Sequence, residues 1–306
     1  RRKPPPSGAL PSRHGASDTV SRPMRGSAEA APTPLLAAKR YDAPPVFRPE
    51  ALLREARRQR NIPHAPVPPI CLLDPDGDIV RSLTHRGVAR RHEGWACYHS
   101  EMVVFELAGV GPVGAVGCAV GAPYAVLVAE QAFVSGCRLL VSITSAGRIA
   151  EDLPAPPHFV LIRRALRDEG TSHHYLPPAA FTEAPLPNLL DSVAARLRAE
   201  APDVILREGV TWTTDAPFRE TEAAITEARA QGCLAVEMEA AALYAFATAC
   251  ARPVVCFAHV TNAMGRIEGD FEKGEADGSA DALRVLAAAA CAFLDAPSGA
   301  PAQRQE

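Results

Sequence analysis

From residue 70 onward, short runs of apolar residues alternate with helical stretches. "PPICLLDPDGDIV" opens on a buried strand over 70–73 and breaks into a turn over 74–78. "VGAVGCAVGAPYAVLVAEQAFVSG" predicts a strand, a Gly-x-Pro turn and a helix over 124–135. "CRLLVSITSAG" predicts a continuous apolar strand ending in a loop of small residues, and "PHFVLIRRAL" predicts another strand. A helix over 191–201, the segment "DVILREGVTWTTDAPFRE", the strand "RPVVCFAHV" and a last helix over 281–294 complete the pattern. Several strands are apolar throughout instead of alternating. That is the pattern of an α/β fold with a mixed or mostly parallel sheet covered by helices on both faces. Ligands in such sheets bind beyond the carboxyl ends of the strands. The polar, glycine-containing segments 144–148, 168–175, 213–220 and 261–266 fall there.

One stretch departs from the simple pattern. "LAVEMEAAALYAF", 234–246, has the texture of a core helix, yet Glu237 and Glu239 flank Met238 at its start. If Val236 ends a strand or loop, both carboxylates enter the first helical turn and suit its positive end. That accounts for the acids and leaves the large apolar Met238 unexplained. A ribose offers adjacent hydroxyls and one apolar face. A carboxylate accepts from both hydroxyls, and a methionine covers the face.

Composition narrows the field. The 306 residues are 47% hydrophobic, enough for one large domain or two small ones. A net charge of −3 leaves no electrostatic footprint for nucleic acid or membrane. No apolar run approaches the roughly 20 residues that span a bilayer. The eight cysteines form no C-x-x-C pair, which argues against a disulfide framework or a zinc site and for a reducing cytoplasm. Residues 1–45 are rich in Pro, Arg, Ser and Ala without periodicity and are expected to be a disordered extension; 297–306 are expected to be a flexible tail. Within residues 1–60, 13 Lys and Arg stand against 5 Asp and Glu. A targeting segment and an extension upstream of a start near Met24 both fit that excess.

The remaining polar segments carry candidate chemistry beside plainer readings. In "SITSAG", Ser145 and its neighbours bring hydroxyls and N–H groups close to a ligand, or simply make a tight turn. In "GAPYAV", Gly121 can line a ligand ahead of a helix N-terminus. "RDEGTSHHYLPP" concentrates polar groups, including His174 and Tyr175; adjacent histidines point opposite ways and do not readily share one metal. In "WTTDAPFRET", Phe218 can stack on a planar base and Arg219 can donate to its carbonyl edge, while Asp215 equally suits a helix start.

Taken together these blocks resemble the nucleoside phosphorylase family, which includes uridine phosphorylase, hexameric purine nucleoside phosphorylase and the methylthioadenosine nucleosidases. "VEMEAAALYAFA" is similar to its ribose-binding signature, and "VGAPYAVLVAEQ" more loosely to its Gly-Gly-Pro-Ser helix entry. "RLLVSITSAGRI" stands at its phosphate loop, "RDEGTSHHYLPP" resembles the uridine-phosphorylase form of the next segment, and "HVTNAMG" puts Asn262 at the purine enzymes' Asp. The order agrees over 69–294. The resemblance implies a mixed, partly barrel-like sheet flanked by helices within a catalytic domain over 46–296. It also implies assembly as a dimer or hexamer, no cofactor or metal, and inorganic phosphate as co-substrate. The implied reaction is phosphorolysis of an N-glycosidic bond to free base and pentose 1-phosphate. Carried across, Glu239 holds the ribose hydroxyls, Met238 packs on the sugar, Glu237 supports it, and Ser145 with Gly121 serves the phosphate. Phe218, Arg219 and Asp215 stand near the base, and His174 and Tyr175 near a neighbouring subunit. Asn262 cannot donate a proton as a carboxylic acid would, which fits a pyrimidine-type base.

The phosphate half departs from that pattern. The loop that reads Gly-Asp-Pro-x-Arg in the family is "LDPDG" here, with Leu73 for the Gly and Gly77 for the Arg. Ser142 stands for a second arginine, and Glu93 for a third, with Arg90 and Arg91 nearby. Without guanidinium forks a phosphate dianion is held weakly. Arg148 and Arg91 are the candidates to compensate; otherwise water replaces phosphate, or the protein binds a nucleoside without cleaving it.

Overall fold

The computed structural model describes residues 33–264, 268–271 and 273–296. Most of the expected 1–45 extension and the whole 297–306 tail lie outside them; 33–45 is turn and coil. Residues from Pro34 onward belong to one compact unit.

The first helix, α1 (Pro49–Arg60), precedes strand β1 (Ile70–Asp74) and helix α2 (Asp78–His85). Strands β2 (Arg90–Arg91), β3 (Val103–Leu107) and β4 (Gly111–Gly117) lead to α3 (Ala122–Val134) and β5 (Leu139–Arg148). Then come β6 (His158–Asp168), α4 (Ser172–Tyr175), β7 (Phe181–Glu183), α5 (Pro187–Glu200) and β8 (Leu206–Thr214). The chain ends with α6 (Glu222–Ala230), β9 (Cys233–Glu237), α7 (Ala240–Ala249), β10 (Val254–Asn262) and α8 (Ser279–Asp295).

The sheet is mixed. β1 runs parallel to both β4 and β5, and β10 runs parallel to β5 and antiparallel to β6. β6 and β8 are parallel, β8 and β9 are parallel, and β9 returns antiparallel to β5. Strands β5, β10, β6, β8 and β9 therefore close on themselves as a five-stranded barrel, with β1, β4, β3 and β2 extending from β5. Bulges between Ile162 and Arg164, Val210 and Thr211, and Val260 and Asn262 supply local bends of the kind that closure needs.

Strand alternation separates two cores. Cys71, Leu73, Leu140, Cys256 and Ala258 pack with α3 and α7. Their neighbours Ile70, Leu72, Leu139, Val141, Val255 and Phe257 pack with α2, α5 and α8. Both faces are covered, which is why these strands read as unbroken apolar runs.

Two expectations are corrected. The segment 144–148 is strand, not loop: Gly147 pairs with Asn262 on one side and Val236 on the other, so barrel closure keeps β5 extended to Arg148. The stretch 234–246 does not begin as helix. Pairing of Thr213 with Glu237 and of Gly147 with Val236 holds the chain as β9 through Glu237, and α7 starts at Ala240.

Candidate functional site

The turn from β9 into α7 separates the two glutamates. Glu237, the last strand residue, folds its carboxylate back under the helix. Its Oε2 accepts from the N–H groups of Glu239 and Ala240, both at 2.7 Å. Its Oε1 accepts from Thr211 Oγ1 at 3.0 Å and Thr213 Oγ1 at 2.5 Å, and Thr213 Oγ1 accepts in turn from Ala241 N at 3.0 Å. Glu237 is thus a buried helix cap with four donors, although burial still raises its pKa. Glu237 thereby fixes the turn that carries Glu239.

Glu239 sits at the N-cap of α7 with 1% of its surface exposed. Its Oε1 accepts from Gly121 N, at the entrance of α3, at 2.7 Å. Burial, then the charge of Glu237, pushes its pKa up to about 8, against the opposing pull of Gly121 N–H and the Thr144 hydroxyl. Met238 is half-buried beside it and lines a cleft of about 340 Å³. Ser145, Gly147, Asn262, Met264, Phe218, Glu220 and Phe271 also line that cleft. Phe218 is fully exposed there, and Arg219 is exposed on the same short turn without lining the cleft.

The other side of Ser145 is acidic. Parallel pairing of β1 with β5 puts the loop after β1 beside it, and Ser145 N donates to Asp76 Oδ2 at 2.7 Å. Asp74 accepts from Gly77 N at 3.1 Å and Val80 N at 2.9 Å. Burial, with Asp76 and Asp78 adding their charge, pushes Asp74 up to about 7. Asp78 pairs with Arg81 and Lys273. His259 closes the back, stacked on Phe159 at 4.4 Å, with its pKa pushed down to about 4 by burial and then by Lys273. Among the described residues no group of His, Cys, Asp or Glu side chains is arranged to hold a metal ion.

The expected phosphate ligands therefore have other partners. The Ser145 N–H faces a carboxylate, and the Gly121 N–H serves Glu239. Arg148 turns to the carbonyls of Leu153 and Pro154 at 3.4 Å, and Arg91 is exposed on β2, ion-paired with Glu101 at 3.3 Å. Asp215, expected near the base, lies apart from the cleft with His174 and Tyr175, the residues expected near a neighbouring subunit. Asp215 does not line the cleft; it accepts from Gly170 N at 2.8 Å. It borders a separate surface hollow of about 530 Å³ with His174 and Tyr175. Tyr175 donates to Glu130 at 2.8 Å, and His174 Nδ1 lies 3.1 Å from Lys39 Nζ. Asn262 lines the cleft but is engaged, its Oδ1 accepting from Met264 N at 2.9 Å.

The family model described as the phosphorylase superfamily matches residues 77–295. The chain belongs to the phosphorylase superfamily. Solved superfamily structures share the fold at low identity. Uridine phosphorylase from Vibrio fischeri ES114 superposes with a TM-score of 0.60 at 18% identity, covering 74% of this chain and 92% of that one. Purine nucleoside phosphorylase from Toxoplasma gondii, in complex with immucillin-H, gives 0.61 at 14% identity, over 74% and 92% of the two chains. No curated protein sequence matches the chain. Among the described residues no helix is long and apolar enough to cross a membrane.

Asp76, Glu220, Met264 and Thr213 were not among the expected site residues. The aspartates were visible in "LDPDGD", spaced two apart, but only the β1–β5 pairing reveals that one of them reaches Ser145.

Proposed function

We propose that the protein cleaves the N-glycosidic bond of a nucleoside and releases the free base. The observation that carries this reading is Glu239, a buried carboxylate fixed at the start of α7 beside Met238 and a cleft large enough for a base. The carboxylate accepts from the ribose hydroxyls and Met238 covers the sugar. As the bond to the base breaks, positive charge grows on the ribose, and preorganised carboxylates nearby stabilise it. The chemistry calls for no cofactor.

Superfamily phosphorolysis would use phosphate and yield pentose 1-phosphate. Asp76 favours water instead. Its carboxylate lies on the Ser145 N–H that would hold the anion, and a second negative charge there repels a phosphate dianion. In the hydrolytic reaction the oxygen of water bonds to C1′, its proton passes to Asp76, and the bonding pair leaves with the base. Asn262, an amide, supports departure of the base by hydrogen bonding without proton donation.

Purified protein incubated with a nucleoside panel, with and without phosphate, tests both levels. The expected products are free base and free pentose at a rate independent of phosphate. Base release that requires phosphate and accumulates pentose 1-phosphate would overturn hydrolysis in favour of phosphorolysis. Binding without any base release would overturn the enzymatic reading.

A further inference from the structure

Strands β5 and β10 run side by side and parallel, so both begin at one end of the barrel and finish at the other. Ser145 and Asn262 lie toward their carboxyl ends, in the cleft described above. Arg138 precedes β5, Arg252 shortly precedes β10, and both arginines line a separate hollow of about 450 Å³ at the amino ends. At about 3.3 Å per strand residue, that hollow lies roughly 20 Å from the cleft. Its walls include Phe133, Leu186 and Phe293. The Arg138 guanidinium is exposed and lies over the Phe293 ring at 6.0 Å; that of Arg252 is half-buried and lies over the Phe133 ring at 5.5 Å. Stacking on a ring fixes the guanidinium plane and leaves its N–H edge open. Among the described residues neither side chain has a hydrogen bond or an ion pair, and none that lines the hollow is acidic. The adjoining helices differ: every arginine of α5 and α8, Arg196, Arg198 and Arg284, is ion-paired.

We propose that this hollow is a second binding site, for an organic anion whose apolar body of about eight carbons fills it and whose carboxylate or phosphate head meets Arg138 and Arg252. Both parts of the ligand are needed. A small inorganic anion leaves the apolar walls wet, and a neutral body of the same length leaves two guanidinium edges with water alone. A concave apolar surface of this size with a few convergent donors is the general form of a small-molecule site. The donors are also held in place before a ligand arrives. Phe133 lies in the last turn of α3 and Thr248 in the last turn of α7, so each arginine follows the carboxyl end of a helix, whose dipole favours a cation. Donors fixed in advance lose little freedom on binding. The site uses no residue of the nucleoside cleft and stands independently of the cleavage reading.

Isothermal titration with octanoate, octyl phosphate, octan-1-ol, acetate and inorganic phosphate tests the assignment. At least one of the octyl anions is expected to bind about 10-fold tighter than octan-1-ol or more, and acetate and inorganic phosphate more weakly than either octyl anion that binds. The tighter octyl anion names the head group. Combining Arg138→Gln with Arg252→Gln is expected to bring that anion to the affinity of octan-1-ol, while octan-1-ol binds as it does to the wild type because the apolar walls are intact. Each single variant is expected to show part of that loss, and serves in place of the double variant if the latter does not fold. Binding of neither octyl anion, octan-1-ol as tight as both, acetate or inorganic phosphate as tight as the octyl anions, or unchanged affinity in the folded variants would each overturn the proposal. Base release enters none of these readouts, so failure of the cleavage reading leaves this assignment standing.

Discussion

Two carboxylates two residues apart have different tasks, and the difference arises from backbone geometry. Glu237 closes a strand and faces the hydroxyls of β8; Glu239 begins a helix and faces the entrance of α3. The sequence marks the triplet as a candidate ribose clamp from the chemistry of Glu, Met and Glu. That Glu237 is engaged by the hydroxyls of β8 was not legible, because it depends on strand pairing that extends β9 through Glu237. The cap is testable. Thr213→Val keeps the shape but removes a donor to Glu237 and the acceptor of Ala241 N–H. It is expected to cost about 1–3 kcal/mol, seen as a lower urea midpoint at constant slope. Glu239 gives a second test. Ribose hydroxyls donate to the ionised form, so binding releases a proton from a group whose pKa is about 8 in the empty site. Titration calorimetry at pH 7 in buffers of different ionisation enthalpy is expected to detect on the order of one proton released, and none with Glu239→Gln.

Elements, more than single residues, account for the departure of the loop after β1 from the pattern of the resembled family. β1 ends in the loop that delivers Asp76 to β5, and Gly77 turns that loop into α2 with φ of 78°. Gly77 occupies the position of a phosphate arginine in the resembled family, and the substitution is built in locally. A side chain at Gly77 would begin 2.5 Å from Cys118 Sγ, on a backbone that L-residues seldom adopt. Gly77→Arg is therefore expected to lose about 1–2 kcal/mol of stability in thermal unfolding and to leave any base release independent of phosphate. A gain of phosphate dependence in a stable variant would contradict this account. The strands themselves were legible as apolar runs. The continuation of β5 through Ser145 was not, because small polar residues there remain extended only through partners about 90 or more positions away in β9 and β10.

At the scale of the whole molecule, barrel closure gathers carboxyl groups from distant segments into one partly dry region, and its proton balance shapes stability. Asp74 ends β1 with its pKa at about 7, and Glu239 begins α7 with its pKa at about 8, both raised first by burial. In the unfolded chain these groups ionise near pH 4, so between there and pH 8 the native state holds more protons than the unfolded state. Stability from these two groups consequently falls as pH rises through that window. His259 acts oppositely: its pKa drops to about 4, so stability is lost as pH falls below about 6.5. The two trends oppose each other below pH 6.5, and only the carboxyl trend operates above it. Two carboxyls outweigh one histidine below pH 6.5, so the melting temperature is expected to decline with pH from about pH 5, and more steeply above pH 6.5, by about 5 °C or more between pH 6.5 and 8.5. Glu239→Gln removes the larger acid term and is expected to raise the melting temperature at pH 8.5 while leaving it little changed at pH 4.5. The variant that stabilises the empty protein is thus the one expected to lose the ribose, since the carboxylate that must ionise to receive the sugar is the same group whose burial costs stability at high pH. A wild-type melting temperature that holds level from pH 6.5 to 8.5 would show that these carboxyls are already ionised in the fold.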